Sequence, residues 1–261
     1  MRTAIELKNV VVYSNDYRVL DDVSLTIPAG QFTLILGPTG CGKSTLLKVI
    51  AGILIPDKGQ VLIEGREYSA YTEKELIAIR RRNGFVFQDS ALWANKSILE
   101  NLSLPLHFHF PELLQSQIEE RVTAVLDEIT LLDSLHLRPA QLSTGEQKMV
   151  SFRRALITDP DVIFLDEPTA SVDLSMRRKM MRVLWREKQR HATMVAVTHD
   201  AEILSLFTDY LVVLKQGRLL QAGPKDEVRF STFPAVREIL SEVTMAETEN
   251  AGGNTPPDSS H

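Results

Sequence analysis

The sequence has few of the features that mark secreted, membrane-spanning or nucleic-acid-binding proteins. It contains a single cysteine, Cys41, so no intrachain disulfide can form and a reducing compartment is expected. Its apolar runs, such as 210–214, are far shorter than the ~20 residues that a membrane-spanning helix needs. Lys and Arg number 29 against 34 Asp and Glu, so no broad basic surface is available for a polyanion. We therefore expect neither nucleic-acid binding nor direct membrane insertion.

The chain is long enough and apolar enough to build a large core. Its 261 residues suit one large α/β domain, or a core with a smaller insertion, and 44% of them are hydrophobic. Residues 1–6 lead straight into a strand-like run, so no secretory signal peptide is expected. Residues 246–261 offer nothing to bury, and we expect them to be disordered.

A glycine-rich segment matches the phosphate-binding pattern G-x-x-x-x-G-K-[ST]. An apolar run at 32–36 before it reads as a buried strand, and 45–51 after it has helical composition, with Gly52 as a stop. Glycines let backbone N–H groups converge on phosphates, and the helix N-terminus adds partial positive charge. A nucleoside triphosphate with Mg²⁺ is the predicted ligand, held by Gly37, Pro38, Thr39, Gly40, Cys41, Gly42, Lys43, Ser44 and Thr45.

Two residues of this loop have predicted roles of their own. Lys43 is placed to reach the β- and γ-phosphates, and the Ser44 hydroxyl is placed to ligate Mg²⁺. Cys41 is interpreted as a small residue in a serine-sized slot and not as a nucleophile.

Polar residues follow several further strand-like runs. The run 162–165 leads to Asp166 and Glu167, where Asp166 can reach Mg²⁺ and Glu167 can polarise the attacking water. His199 follows the run 193–197, and Gln88 follows 85–87. Ligands of parallel α/β sheets bind at the carboxyl ends of the strands, so these side chains are expected to meet there.

The order of patterns along the chain predicts a layered α/β fold. Residues 5–12 and 23–27 resemble strands of an antiparallel patch. Strand signals stop between about 96 and 157, and 112–132 has apolar residues at helical spacing, which indicates a helical insertion. Strands return at 162–165, 193–197 and 210–214 with helices between them, which predicts a largely parallel sheet.

These motifs together resemble the nucleotide-binding subunit of ATP-binding cassette (ABC) transporters over roughly residues 3–230. The run Leu142-Ser143-Thr144-Gly145-Glu146 is similar to the family signature Leu-Ser-Gly-Gly. The resemblance implies that Ser143 and Gly145 contact the γ-phosphate held by a second copy of the chain. It also implies an α/β P-loop NTPase (RecA-like) core with a mostly parallel sheet, an antiparallel β patch and an inserted helical subdomain.

The resemblance also assigns site roles. Gln88 corresponds to the glutamine that senses Mg²⁺ and faces the permease, and His199 to the switch histidine. The implied catalytic residues are Glu167, His199 and Lys43, and the implied Mg²⁺ ligands are Ser44, Gln88 and Asp166. The run 170–173 is similar to the loop that crosses the dimer interface.

The implied organisation is an ABC ATPase domain at 1–245 and a disordered tail at 246–261. Within the domain, the RecA-like core covers 1–88 and 155–230, the helical subdomain 89–154 and a C-terminal helix 231–245. Such a subunit pairs with a second copy of itself and with integral-membrane permease subunits. We expect it to be peripheral, at the cytoplasmic face of a bacterial inner membrane.

Two positions in the resemblance are open. An aromatic residue that stacks on adenine is expected before the second strand, with Tyr13 as the choice and Tyr17 as the reserve. Thr144 stands where the family has glycine, and its extra atoms crowd the site, so slower hydrolysis in the closed dimer is a hypothesis.

The cargo is predicted from the step after Gln88. Residues 89–106 resemble the ATPases of mammalian-cell-entry (MCE) type phospholipid transporters, which implies an MCE-domain protein as a further partner and movement of phospholipid between inner and outer membranes. The alternatives are a lipoprotein-releasing, macrolide-exporter-like or division-associated complex and a solute importer. A different class, a regulatory protein that uses ATP only as a dimerisation clamp, is disfavoured by intact Glu167 and His199.

Aromatic residues in the helical block raise two more questions. Trp93 either seats a permease helix or packs in the core. His107 and His109, with phenylalanines interleaved, lack a third ligand nearby, so packing is preferred over a metal site.

Overall fold

The computed structural model describes residues 2–251, which form two sheets and a set of helices. Ten strands are seen in this range: β1 Thr3–Ser14, β2 Tyr17–Pro28, β3 Phe32–Leu36, β4 Lys58–Ile63, β5 Arg66–Glu67, β6 Asn83–Val86, β7 Val162–Asp166, β8 Thr193–Val197, β9 Tyr210–Lys215 and β10 Arg218–Pro224. The helices in the same range are α1 Lys43–Ile50, α2 Glu73–Arg81, α3 Ile98–His109, α4 Gln115–Glu128, α5 Thr144–Leu156, α6 Leu174–Gln189, α7 Lys225–Arg229 and α8 Pro234–Ala251.

The larger sheet has six strands in the order β10-β9-β3-β8-β7-β6. All its neighbours are parallel except β10, which pairs with β9 in an antiparallel hairpin. Strands β3 and β7 are not neighbours, since β8 lies between them. The carboxyl ends of β6, β3, β7 and β8 therefore share one edge of the sheet, as predicted from the polar residues that follow them.

The smaller sheet has four antiparallel strands in the order β2-β1-β4-β5. Register shifts interrupt the β1–β2 pairing, and Asp22 adopts a left-handed φ of 57° within β2. The predicted antiparallel patch is confirmed. Its second strand begins at Tyr17 and not at 23, because these irregularities break the alternation of apolar and polar residues on which the prediction depended.

Both faces of the six-stranded sheet are covered, as a parallel sheet requires. Strand β3 shows how this works, because its alternate residues enter different cores. Phe32, Leu34 and Leu36 face a core built with α3, α4, α5, α6 and α8. Ile35 faces the other core, which includes α1 and the four-stranded sheet. All four of these side chains are fully buried.

The helical block lies where strand signals disappear from the sequence. Its helices α3 and α5 have Ser97 and Ser143 as N-caps, each in a capping box that pairs the serine with a glutamate three residues later. The predicted periodic segment 112–132 forms α4 over a shorter range, Gln115–Glu128. The fold class is therefore the predicted α/β P-loop NTPase arrangement with a mostly parallel sheet, an antiparallel patch and an inserted helical block.

The proposed division into a core at 1–88 and 155–230, a helical subdomain at 89–154 and a C-terminal helix at 231–245 stays a prediction. Helix α8 runs from Pro234 to Ala251 and so overlaps the predicted disordered tail over 246–251. The rest of that predicted tail lies outside the described residues. Within 2–251, no helix combines the length and the hydropathy required to span a bilayer.

Candidate active site

The phosphate loop connects β3 to α1, and its shape depends on glycines. Gly37, Gly40 and Gly42 have φ values of 155°, 76° and 102°. A Cβ atom on Gly37 would lie 2.1 Å from the carbonyl oxygen of Leu214 and 2.7 Å from Cys41 Sγ. A side chain at this position cannot be accommodated without moving the backbone, so the loop keeps its curvature only with glycine there.

The lysine of the loop is buried and turned inward. Lys43 is the first residue of α1, and its Nζ donates hydrogen bonds to the carbonyl oxygens of Gly37 (2.7 Å) and Pro38 (3.0 Å). The ammonium group of Lys43 is thus held against the first two residues of the phosphate loop, Gly37 and Pro38. Cys41 is also buried, and burial raises the pKa of its thiol, which disfavours the nucleophilic thiolate.

Ser44 links the phosphate loop to β7 across the sheet. Its hydroxyl donates a hydrogen bond of 2.9 Å to Asp166 Oδ1. Asp166 is only 3% exposed, and burial raises its pKa, with the Ser44 hydrogen bond as the main opposing effect. Two of the three predicted Mg²⁺ ligands, Ser44 and Asp166, therefore lie in contact, although they are 122 positions apart in the chain.

Glu167 and His199 meet at the same edge of the sheet. Glu167 has a left-handed φ of 47°, and its N–H donates to the carbonyl of Val197 at 2.8 Å. Its carboxylate Oε1 lies 3.6 Å from His199 Nε2. Burial raises the pKa of Glu167, and the charge of His199 opposes this most strongly. A buried carboxylate with a raised pKa is a better proton acceptor than an ordinary glutamate, as a general base requires.

Gln88 lies two residues beyond the end of β6 and is exposed. The neighbouring Asp89 contributes to the raised pKa of Asp166, so this segment approaches the Mg²⁺-ligand candidates. Gln88 itself makes no hydrogen bond that links it to Ser44 or Asp166 among the described contacts. Its role as a Mg²⁺ ligand therefore stays a prediction.

The adenine-stacking candidates lie at the turn between β1 and β2. Tyr13 is 37% exposed, its N–H donates to Asp57 Oδ2 at 2.7 Å, and the guanidinium of Arg18 lies 5.6 Å from its ring centroid. Tyr17 is 66% exposed and opens β2. Tyr13 is held more firmly than a free side chain at this turn, because its backbone N–H is bound by Asp57 and Arg18 lies over its ring.

The signature turn lies at the N-terminus of α5. Ser143 caps the helix, Thr144 is exposed, and Gly145 is buried. A Cβ on Gly145 would lie 3.2 Å from Asp173 Oδ2, so the turn packs tightly against the loop before α6. The structure thus places Gly145 beside Asp173, while the Ser143 hydroxyl pairs with Glu146 in the first turn of α5.

Sequence reasoning missed a polar network directly behind the site. Asp200 follows His199, and its side chain is 8% exposed. It accepts two hydrogen bonds from Arg177, at 2.9 and 2.8 Å, and one of 2.9 Å from the Thr169 hydroxyl. A buried carboxylate needs such partners, but the sequence carries no signal that selects Arg177.

The aromatic residues of the helical block have separate environments. Trp93 is 56% exposed, so it is not core. The side chain of Asn101, fully buried, binds both the N–H and the carbonyl of Trp93. His107 contacts Ser103 and Gln115, and Phe108 packs edge-on against His109. Among residues 2–251, no group of three or more His, Cys, Asp or Glu side chains is arranged to hold a metal ion.

A cavity of about 710 Å³ lies at the opposite end of the sheet from the phosphate loop, between α2 and the amino ends of β7 and β8. None of the predicted site residues lines it. The nucleotide site is therefore assigned from the chemistry of the loop and not from cavity size.

Comparisons with known proteins agree with this geometry. The family model described as ABC transporter matches residues 20–170. The sulfate/thiosulfate import ATP-binding protein CysA of Methylococcus capsulatus is 36% identical over 255 residues, which cover 96% of this chain and 72% of that protein. The cell division ATP-binding protein FtsE of Bacillus subtilis is 35% identical over 224 residues, which cover 85% of this chain and 97% of that protein.

A solved structure gives the corresponding result for the fold. It is the dimeric structure of a post-hydrolysis state of the ATP-binding cassette MJ0796 bound to ADP and Pi. It is similar with a TM-score of 0.77 and 32% sequence identity, over 85% of this chain and 98% of that one.

Proposed function

The chain belongs to the ABC transporter family as an ATP-binding cassette ATPase, and from that premise we propose which residues carry hydrolysis and what the chain drives. The observation that supports the assignment best is the meeting of two pairs at one sheet edge. Ser44 contacts Asp166 at 2.9 Å, and Glu167 lies 3.6 Å from His199. One pair suits a metal ion and the other suits proton transfer, which is what phosphoryl transfer to water needs.

ATP binding is assigned to the phosphate loop and Tyr13. We propose that backbone N–H groups of the loop and the N-terminus of α1 bind the phosphates, and that Lys43 turns from its loop carbonyls to the β- and γ-phosphates. The half-exposed ring of Tyr13 covers the adenine by stacking.

The donor set fits Mg²⁺. Ser44 and the buried Asp166 supply hard oxygen ligands, and Mg²⁺ usually takes its remaining ligands from water and substrate phosphates. The exposed Gln88 completes the proposed set. When bound, Mg²⁺ neutralises charge on the β- and γ-phosphate oxygens.

Hydrolysis is assigned to Glu167, His199 and Lys43. Glu167 orients the attacking water and accepts its proton, since burial raises its pKa toward the operating range. His199 and Lys43 hold the charge that develops on the γ-phosphate oxygens.

The Glu167 assignment is tested with Glu167→Gln in the full chain. We expect ATP hydrolysis to fall on the order of 10²-fold or more, with the nucleotide Kd preserved, because the amide cannot accept the proton. Glu238→Gln, which alters an exposed glutamate paired with Lys215, is the matched control. Hydrolysis by Glu167→Gln at the wild-type rate would refute the base assignment. A wild-type chain that binds ATP without hydrolysing it would favour the dimerisation-clamp alternative.

We propose that two copies close on two ATP molecules. The exposed cap Ser143 and the neighbouring Gly145 offer a turn that a second nucleotide can reach, and the MJ0796 relative was solved as a dimer with ADP and Pi. In Glu167→Gln, ATP should shift the chain from monomer to dimer in sedimentation velocity. Thr144→Gly should raise the hydrolysis rate if the exposed threonine crowds that contact, and an unchanged rate removes the crowding hypothesis.

The proposed cargo is phospholipid, moved with a permease and an MCE-domain protein. This proposal rests on the resemblance of 89–106 to MCE-type ATPases and on Trp93 near the start of that segment, whose ring is exposed and whose backbone is bound by Asn101. A solute importer is the second candidate, because CysA is named as an import ATP-binding protein. A lipoprotein-releasing or exporter-like complex is the third.

Co-purification distinguishes these candidates. The tagged chain is isolated from its native membrane in mild detergent, and co-eluting proteins and lipids are identified by mass spectrometry. A permease with an MCE-domain protein and phospholipid supports the first proposal. A soluble solute-binding protein supports an importer, and a permease with a large periplasmic domain supports the exporter-like complex.

A further inference from the structure

The segment from Glu167 to Asp173 is a tight turn that depends on contacts from outside it. Glu167 and Ser171 both have left-handed backbone conformations, with φ of 47° and 58°. Residues other than glycine take such conformations only when the surrounding structure holds them there. The orientation of the Glu167 carboxylate therefore depends on the anchors of this segment.

Three anchors of the segment belong to the elements already described. The N–H of Glu167 is bound to the carbonyl of Val197 on β8. The Thr169 hydroxyl donates to Asp200, and Asp173 caps α6 by accepting from the N–H groups of Ser175 and Met176. These contacts fix the beginning and the end of the turn.

The middle of the turn is held from α5. The Nζ atom of Lys148 donates a hydrogen bond to the carbonyl oxygen of Ala170, three residues after Glu167. The ammonium group is half-buried, and burial lowers its pKa while the nearby Glu167 carboxylate raises it. The main charge next to Glu167 is nevertheless His199 and not Lys148. Lys148 therefore acts on the turn chiefly through the backbone of Ala170.

Helix α5 touches the turn at two points. Gly145, in its first turn, packs against Asp173 Oδ2, and Lys148 binds Ala170 about one helical turn later. Any shift of α5 relative to β7 is thus passed to the segment that begins with Glu167.

We propose that Lys148 is a positioning residue for hydrolysis, which holds the Glu167–Asp173 turn to α5 and so keeps the Glu167 carboxylate aimed at the attacking water. The inference rests on the proposed role of Glu167 as general base. Lys148 touches neither substrate nor reacting atoms in this scheme. Its removal should therefore reduce the rate of the chemical step and leave nucleotide binding intact.

The test compares Lys148→Met with Lys148→Arg in the full chain, and measures kcat for ATP hydrolysis, the Kd of a fluorescent ATP analogue, and Tm. We expect Lys148→Met to lower kcat about tenfold, below the ~10²-fold that a 1 Å misplacement costs. Its Kd should stay within about twofold of wild type because the phosphate loop is untouched. Lys148→Arg should recover kcat to within about threefold, since a guanidinium also donates to a carbonyl.

Lys179→Met is the matched control. Lys179, on α6, is also a half-buried helical lysine whose Nζ donates to a backbone carbonyl, that of Ile129. It also donates to the Thr130 hydroxyl, and both partners lie just after α4 and not in the Glu167–Asp173 turn. The Tm of Lys179→Met should fall by about as much as that of Lys148→Met, and its kcat should stay at the wild-type value.

Three outcomes overturn the proposal. They are a kcat of Lys148→Met within about twofold of wild type, a fall in kcat in Lys179→Met equal to that in Lys148→Met, and a kcat of Lys148→Arg no higher than that of Lys148→Met. If Lys148→Met does not fold, Lys148→Gln replaces it, with the same expected fall in kcat at unchanged Kd. Failure of the proposed function is separate, because it shows as a wild-type chain without ATPase activity or as an active Glu167→Gln.

Discussion

Arg177 forms an ion pair with the buried carboxylate of Asp200, and its truncation to alanine tests how the loop that carries His199 is held. The pair is bidentate, with Nε to Oδ2 at 2.9 Å and Nη2 to Oδ1 at 2.8 Å. The Asp200 side chain is 8% exposed and that of Arg177 is 27% exposed. Arg177→Ala therefore leaves a buried carboxylate with only the Thr169 hydroxyl and the N–H groups of Glu202 and Ile203 as partners.

The magnitude follows from burial and from the partners that remain. Breaking a fully buried ion pair costs about 3–5 kcal/mol. Because Arg177 is partly exposed and the other donors stay in place, we expect a loss of about 2–3 kcal/mol in the free energy of unfolding at neutral pH. For a chain of this size, 1 kcal/mol shifts Tm by about 2–4 °C, so Tm should fall by about 5–10 °C.

The pH dependence gives a second check. Burial alone would raise the pKa of Asp200, but the hydrogen bonds from Arg177 and Thr169 outweigh it and hold the pKa below its usual range. A depressed folded-state pKa means that this stability is present above the unfolded value of about 3.9 and is lost as pH falls through the folded value. Without Arg177, burial dominates and the pKa rises, so Asp200 protonates at a higher pH. The destabilisation should therefore shrink as the pH falls from about 7.5 to about 4, near the unfolded-state pKa.

The assay is urea unfolding followed by circular dichroism at both pH values. Arg186→Ala is the control, since Arg186 lies on the same helix, is 54% exposed and pairs with Glu128 at the surface. Its loss should be about 0–1 kcal/mol. The reasoning fails if Arg177→Ala and Arg186→Ala differ by less than about 0.5 kcal/mol, or if the Arg177→Ala loss is the same at both pH values.

Three further substitutions have defined outcomes. Gly37→Ala should abolish binding of a fluorescent ATP analogue and lower stability by about 2–3 kcal/mol, because its Cβ would lie 2.1 Å from a carbonyl oxygen. Gly40→Ala meets nothing within 4 Å and should cost less, about 1 kcal/mol for its left-handed φ of 76°; equal losses would contradict this. Asn101→Ala should lower the free energy of unfolding by about 2–3 kcal/mol in urea unfolding and red-shift the fluorescence of Trp93, because it leaves backbone groups unpaired. A loss below about 0.5 kcal/mol would show that water replaces the amide. Tyr13→Ala should weaken ATP binding about tenfold, while the Kd of Tyr13→Phe should stay near that of wild type. An unchanged Kd in Tyr13→Ala would assign the stacking role to Tyr17 instead.

Local patterns in the sequence were sufficient for the elements that carry the site. The apolar run at 32–36, the glycines and the following helix appear as β3, the phosphate loop and α1, although α1 begins at Lys43, two residues before the predicted 45. Gly52 has a left-handed φ of 69° just after that helix, as its predicted role as a stop requires. Asp166, Glu167, His199 and Gln88 lie at or just beyond the carboxyl ends of their strands.

Other features have no local pattern, and these were missed. Arg177 pairs with Asp200 from 23 residues away, and Lys148 binds Ala170 from 22 residues away. Each contact joins elements that approach only when α5 and α6 pack on the sheet, so neither spacing nor composition selects these two side chains from the other Lys and Arg residues. The exposure of Trp93 also has no local pattern, because it depends on how Asn101 holds the loop before α3.

The residue pattern alone therefore located the candidate chemistry: a phosphate loop, a proposed metal-ligand pair and a proposed general base, each at a strand end and each marked by a motif of a few neighbouring residues. Tertiary packing determined which residues hold these groups in place. A buried charge or a left-handed turn takes its hydrogen-bond partners from whichever elements the fold brings within about 3 Å. Asp200 and the Glu167–Asp173 turn are held in this way, and their partners are set by the approach of α5, α6 and β8, which no short stretch of sequence encodes.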